Sequence, residues 1–138
     1  MSSRAVNVVE YTTVCASGAA EAIRFCVSRP RGDVTLIEVA GEIDLCTAPT
    51  LRENLLRAFG FQATTMVVDL SSVTFFAAAG ITALIEVLAE AEKSARRVFL
   101  ITTGRSVGRI IEITGLASSL HCVGSLDAAL AEGYEATA

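Results

Sequence analysis

His121 is the one histidine in this chain of 138 residues, and no Ser/His/Asp set can be argued from it. The four cysteines, Cys15, Cys26, Cys46 and Cys122, contain no Cys-x-x-Cys pair, and zinc-ligand spacing is absent. They read as reduced thiols, mostly buried as small hydrophobes. Cys46 is the exception worth following: it falls one residue before a predicted helix, where a thiol can acquire a lowered pKa and react. It is therefore a candidate redox residue. Val67-Val68-Asp69 has the composition of a Walker B strand, but no Gly-x-x-x-x-Gly-Lys-Ser/Thr accompanies it, and Gly104 to Gly108 is too short and lacks lysine. Neither catalysis nor a cofactor is expected.

Docking chemistry remains, and Met66 to Leu88 is the stretch that would carry it. A β-branched run, Met66-Val67-Val68, closes on Asp69; a polar break follows at Ser71-Ser72; then come Val73 to Phe76, three alanines and Gly80. Ile81, Leu84, Ile85 and Leu88 recur at i, i+3, i+4 and i+7, which predicts the inner face of a helix. Thr82, Glu86, Glu90 and Lys93 fall on the other face. The reading is strand, tight connection, helix start at Ala77 to Ala79, and a helix to about Ala91. The first turn of such a helix has backbone N–H groups with no intrahelical partner, and its partial positive charge attracts an anion or a polar group.

The totals set the limits around this. The length fits one domain of ~100–200 residues. A hydrophobic share of 52% against 19% charged supports a core, and 6% aromatic with no Trp makes that core aliphatic. The net charge is −4, with no basic stripe to track phosphates, so nucleic acid is not an expected partner. Mean hydropathy is +0.55, yet the uncharged run Leu70 to Ile85 is shorter than the ~20 residues a spanning helix needs, and Gly80 and two serines interrupt it. No membrane span is expected. Asn7 and Glu10 break any apolar leader, so the expected location is cytoplasmic.

The elements that must hold the central stretch follow in order. Residues 1–20 form an arm in which Val6 to Val9 and Tyr11 to Val14 are candidate strand residues. Ile23, Phe25 and Val27 alternate with Arg24, Cys26 and Ser28, a half-buried strand. Arg29 to Asp33 is a turn by its Pro, Gly and Asp, and Val34 to Ala40 is the return strand. Gly41 to Leu45 leaves the sheet as a loop. Thr47 is placed to cap a helix with Pro49 in its first turn; Leu51, Leu55 and Phe59 face inward and Gly60 ends it. Val98 to Ile101 is continuously apolar, as for a strand covered on both faces. A third helix begins at Thr103 or Ser106, with Val107, Ile110 and Ile111 inward, and stops at Gly115-Leu116. Leu120 to Val123 makes a last strand, Ser125 caps a final helix, and Gly133 to Ala138 is a frayed tail. Alternating strands and helices imply an α/β fold with right-handed crossovers. The sheet is five-stranded, mixed but mostly parallel, with an antiparallel N-terminal edge, about four helices and a domain over residues 21–132.

Three segments of this chain resemble those of a known family. Gly41-Glu42-Ile43-Asp44-Leu45 with Thr47-Ala48-Pro49 is similar to the loop and first helix of STAS domains. Val67 to Phe75 resembles their central strand and its exit, and Val107 to Leu116, ending Ile113-Thr114-Gly115-Leu116, their third helix. The closest-looking branch is the bacterial anti-sigma factor antagonists. That resemblance implies a protein that binds an anti-sigma factor, usually a serine kinase of the histidine-kinase-like ATPase type, and so releases a sigma factor. It implies partner-binding residues at Asp44, Thr47, Ala77, Ala78, Ala79, Gly80 and Thr82. Of the charged loop residues Glu42, Asp44 and Arg105, only Asp44, in the matched loop, is kept as a contact, the others reading as solvated; Glu86 shares the exposed side of the second helix with Thr82. Phosphorylation of a serine at the start of the second helix breaks the family's complex, since phosphate adds roughly −1.5 to −2 charge. Where the family usually reads Asp-Ser-Ser-Gly, this chain has Ala77-Ala78-Ala79-Gly80, with Ala78 in the phosphoserine position. Alanine offers no oxygen to modify, so this corner would behave as a permanently unmodified antagonist. The alternative within the family is a ligand-sensing or transporter-associated module that takes a nucleotide or lipid.

Overall fold

The computed structural model describes residues 9–13, 23–31, 33–58, 64–103, 105–114 and 122–137, with side chains described for 23–30, 33–58, 64–103, 107–113 and 122–131. Strands β1 (Val9–Thr13), β2 (Ile23–Arg31) and β3 (Val34–Ile43) lead into helix α1 (Ala48–Ala58). Strand β4 (Thr65–Phe76), helix α2 (Ala78–Lys93), strand β5 (Arg97–Ile101), helix α3 (Arg105–Thr114), strand β6 (Cys122–Val123) and helix α4 (Leu126–Thr137) follow. The sheet order is β1-β2-β3-β4-β5-β6. The first two pairings are antiparallel and the last three parallel. The expected mixed α/β sheet is present, and Val9–Thr13 of the arm adds a sixth strand at its antiparallel edge.

Alternation along the strands divides the apolar residues between two layers. Ile23, Phe25, Val27, Ile37, Val39, Val68 and Leu70 meet Leu51 and Leu55 of α1, Ile81, Leu84 and Val87 of α2, and Val107 and Ile111 of α3. On the opposite face Val34, Val67, Phe99 and Ile101 pack with Ala129 of α4. The two-sided burial expected for β5 follows from this: Val98 and Leu100 serve one layer, Phe99 and Ile101 the other. Ser125 caps α4 as expected, its hydroxyl accepting from the Ala128 N–H at 3.1 Å.

Four expectations are corrected. Gly41 to Ile43 do not leave the sheet; they extend β3 to Ile43, and the loop begins at Asp44. Gly41 permits this with φ 114, beside a register shift against β4. Ser71-Ser72 do not break the central strand either. Asp69 Oδ1 accepts from the Ser71 N–H at 2.9 Å, and pairing with β3 slips twice but continues through Phe76. Ile85 is 43% exposed; the inward face of α2 is instead Ile81, Ala83, Leu84, Val87 and Ala91. An i, i+3, i+4 pattern tolerates that rotation because small alanines fill the close contacts with neighbouring elements. The segment read as a frayed tail continues α4 to Thr137. The helix stops read at Gly60 and at Gly115-Leu116, and Phe59 and Leu120, lie outside the described residues.

Helix α2 ends at Ser94 in a Schellman motif. The Ala95 N–H donates to the Glu92 carbonyl at 3.2 Å and the Arg96 N–H to the Ala91 carbonyl at 2.8 Å. The left-handed residue this motif needs is Ala95, at φ 57, where glycine would carry no Cβ penalty. At the other end of α2 the situation reverses. A Cβ on Gly80 would sit 2.7 Å from the Phe76 ring and 2.9 Å from Ile43 Cγ2, both buried. Two substitutions should therefore run against simple helix preference in chemical denaturation. Ala95→Gly is expected to stabilise the fold by about 1 kcal/mol. Gly80→Ala, despite a helix-propensity gain of about 1 kcal/mol, is expected to destabilise it by about 1 kcal/mol through overpacking.

Candidate functional site

The parallel pairing of β3 with β4 runs to Ile43 opposite Phe76, and the Ala77 N–H donates to the Ile43 carbonyl at 2.8 Å. Both strands thus end together, and the two helices that follow them begin side by side. Their starts are built differently. Asp44 Oδ1 accepts from the N–H groups of Cys46 and Thr47, each at 2.9 Å. The Thr47 hydroxyl accepts from the Asp44 N–H at 2.8 Å and donates to the Glu42 carbonyl at 2.8 Å. This reciprocal box satisfies the entry into α1 within the chain itself. Thr47 does hold the position before the helix, since its carbonyl accepts from the Leu51 N–H at 3.0 Å, but its side chain reaches back into the loop.

The start of α2 has nothing comparable. Ala77 occupies the cap position with φ −90 and ψ 168, and no side chain caps the helix. The Gly80 N–H turns back to the Ala77 carbonyl at 2.9 Å. The N–H groups of Ala78 and Ala79, in the first turn, receive no side-chain cap. Ala78 is exposed and Ala77 and Ala79 are half-buried. Gly80 is buried beneath them against Phe76 and Ile43.

Between the two helix starts lies a groove of about 610 Å³. Leu45, Ala48 and Pro49 line it from the α1 side, and Ala78, Ala79, Thr82 and Ala83 from the α2 side. Arg52 Nε and Glu86 Oε1 close one end with an ion pair of 2.7 Å, both side chains about half exposed. Such a pair adds little stability in water, so its weight here is in bridging the helices across the groove. Leu45 is 81% exposed at the rim, and Phe75 is 51% exposed just before the helix start.

Of the residues singled out from sequence, Asp44 stands half-buried in the loop, while Ala77, Ala78, Ala79 and Thr82 gather at the start of α2. Two are corrected. Thr47 is 1% exposed and Gly80 is buried, so they support the site from below and present no surface to a partner. Glu42 is exposed and Glu86 lines the groove; the Arg105 side chain lies outside the described ones. Sequence reading missed Leu45, Pro49 and Arg52 as lining residues. A leucine beside a helix cap was the available signal, but its exposure depends on what packs around it.

Cys46 also requires a correction. It is exposed and disulfide-bonded rather than the reduced thiol expected, while Cys122 is a free, half-buried thiol. Burial pushes the Cys122 thiol upward in pKa, which keeps it protonated and unreactive.

Comparison with known proteins agrees with this geometry. The STAS domain family model matches residues 27–129, and the chain belongs to the STAS domain family. The anti-sigma-B factor antagonist of Staphylococcus aureus (strain NCTC 8325 / PS 47) is 26% identical over 85 residues, covering 62% of this chain and 79% of that protein. The crystal structure of an anti-sigma factor antagonist from Mycobacterium paratuberculosis superposes with TM-score 0.69 and 29% identity, covering 83% of this chain and 96% of that one. The same fold recurs in the murine Slc26a9 anion transporter, with TM-score 0.69 and 17% identity, over 94% of this chain but 22% of the transporter. No described helix is long and apolar enough to cross a membrane.

The Asp44 cap carries a pH signature. The Thr47 N–H, opposed by desolvation and joined by the Thr47 hydroxyl and Cys46 N–H, holds its carboxyl below the usual value of 3.8. The folded chain therefore binds this proton less readily than the unfolded chain. The cap's contribution is complete well above pH 3.8 and is lost as pH falls through the lowered folded value. Asp44→Ala is expected to lower stability at pH 7 by about 1 kcal/mol. The difference between the variant and the parent chain should shrink in urea titrations repeated at successively lower pH.

Proposed function

We propose that this chain is an anti-sigma factor antagonist that docks on an anti-sigma factor of the serine-kinase type, through the groove between the starts of α1 and α2. The observation that carries the reading is the start of α2: exposed at Ala78, uncapped, free of side-chain oxygen, and set beside an apolar groove rimmed by Leu45. A partner side chain entering there gains apolar contact and finds donors that water otherwise occupies. Kinase-dependent release at the family position is closed to this chain, because Ala78 stands there. The antagonist would then be controlled by its amount or by another signal. The two relatives named as antagonists support this reading, and docking requires no catalytic group.

A ligand-sensing module is the second reading. The groove's volume falls within the ~300–1,000 Å³ of small-molecule pockets. Its walls offer only Thr82, Arg52 and Glu86 as polar side chains, and the last two are paired. That disfavours a nucleotide.

A pull-down and a thermal shift decide between them. Pull-downs with the parent chain are expected to recover an identifiable anti-sigma factor. Leu45→Asp and Ala78→Glu, which place charge on the rim and the helix start, are each expected to weaken that binding at least about tenfold. Unchanged capture by both variants would remove the groove as the docking surface. Incubation with the recovered kinase and ATP should leave no phosphate between Phe75 and Thr82 by mass spectrometry; phosphate on Thr82 would overturn the non-phosphorylatable reading. A thermal shift with ATP or GTP alone would favour the sensor.

A further inference from the structure

We infer that Arg52 reads a carboxylate of the docking partner, so that the segment entering the groove carries an acidic side chain beside an aliphatic one. This rests on the docking reading above and adds the partner's chemistry to it. Most of the groove is alkyl surface, from Leu45, Ala48, Pro49, Ala78, Ala79 and Ala83. Among the described residues that line it, Arg52 and Glu86 alone carry charge, and they meet through Nε and Oε1 at 2.7 Å. That contact uses the root of the guanidinium. An arginine has five N–H donors in a planar fork, and one such fork can serve two carboxylates on separate edges. Among the described residues no second acceptor pairs with Arg52. Glu86 therefore holds the guanidinium at the end of the groove and leaves donors of its fork for a visitor.

Charge complementarity selects the sign and the size of that visitor. The Arg52–Glu86 pair is neutral as a whole, so geometry decides which charge it accepts. Both oxygens of Glu86 belong to one small group, and a cation placed there also meets the guanidinium, which repels it. A carboxylate on the outer edge of the fork stands the width of the guanidinium away from Glu86. No carboxylate of this chain competes for that edge: neither α1 nor α2 has an acidic residue in its first turn, and Asp44 is engaged by the Cys46 and Thr47 N–H groups. A phosphate brings more charge than one half-neutralised guanidinium balances, whereas a carboxylate brings one. The apolar walls strengthen the contact relative to open water, and they take the aliphatic neighbour of the acid between Leu45 and Ala83. The net charge of −4 gives an acidic segment no long-range attraction, so recognition falls on Arg52 itself.

The test titrates the full chain with the anti-sigma factor it captures, by calorimetry. Arg52→Gln is expected to weaken binding at least about tenfold. Arg52→Lys, which keeps the charge without the fork, should bind more tightly than Arg52→Gln and less tightly than the parent. The double variant Arg52→Gln/Glu86→Gln should be as weak as Arg52→Gln, because the loss is of the fork and not the baring of Glu86. Arg57→Gln, which removes the same charge from α1 outside the groove, should bind as the parent does. Urea midpoints of the Arg52 variants should stay close to the parent's, since an exposed ion pair adds little stability. In the complex of Arg52→Lys, carbodiimide coupling should join position 52 to an Asp or Glu of the partner, read by peptide mapping. Unchanged binding by Arg52→Gln, a loss in Glu86→Gln with none in Arg52→Gln, or coupling of position 52 to Glu86 alone would overturn the proposal. Any of these, with capture still lost in Leu45→Asp, leaves groove docking standing. A parent chain that captures no anti-sigma factor removes the docking reading and this inference with it.

Discussion

The parallel ladder between β3 and β4, finished by the Ala77 N–H on the Ile43 carbonyl, is the contact on which the site depends. It makes two strands from distant parts of the chain stop at one level. Each strand is followed within a few residues by a helix, so two helix starts are forced to lie together. The ladder survives two register shifts on the way, one near Asp69 to Ser72 and one at Gly41. Without those shifts the strands would end out of step, and the groove between α1 and α2 would have no common floor. Where the strands end, Phe76, Ile43 and Gly80 pack so closely that Gly80 has no space for a side chain.

On this floor the molecule sets one finished helix start against one unfinished. At α1 the chain supplies its own acceptors through Asp44 and Thr47. At α2 it supplies none, although a cap is commonly worth about 1 kcal/mol. The apolar lining and the exposed Leu45 lie beside that open start. The same three alanines carry no side-chain oxygen.

Both walls of the groove are anchored in the same core layer. The α2 wall is rigid through Ile81, Leu84 and Val87, all buried in the main layer. The α1 wall is rigid through Leu51 and Leu55, but its leading turn at Leu45 and Cys46 projects from the core, with Leu45 almost bare. That turn depends on the Asp44–Thr47 box and on the bond at Cys46.

Much of this was legible in the linear chain. Alternation in Ile23 to Ser28, the unbroken apolar run of Val98 to Ile101, and Ser125 before the last helix each state a local rule, and each local rule was obeyed. The alanines at the start of α2 were legible for the same reason, because a missing cap is a property of the residues themselves. What the residues could not settle is how elements rotate and end against one another. Ile85 follows a helical period as well as Ile81 does, yet only packing against the sheet decided which faced inward. Ser71-Ser72 look like a break until a neighbouring strand absorbs the slip, and Gly41 looks like a loop until β3 continues through it. The exposure of Leu45 and the burial of Thr47 belong to the same class. Each depends on partners far away in sequence, and the free energy of such contacts exists only once the chain has brought them together.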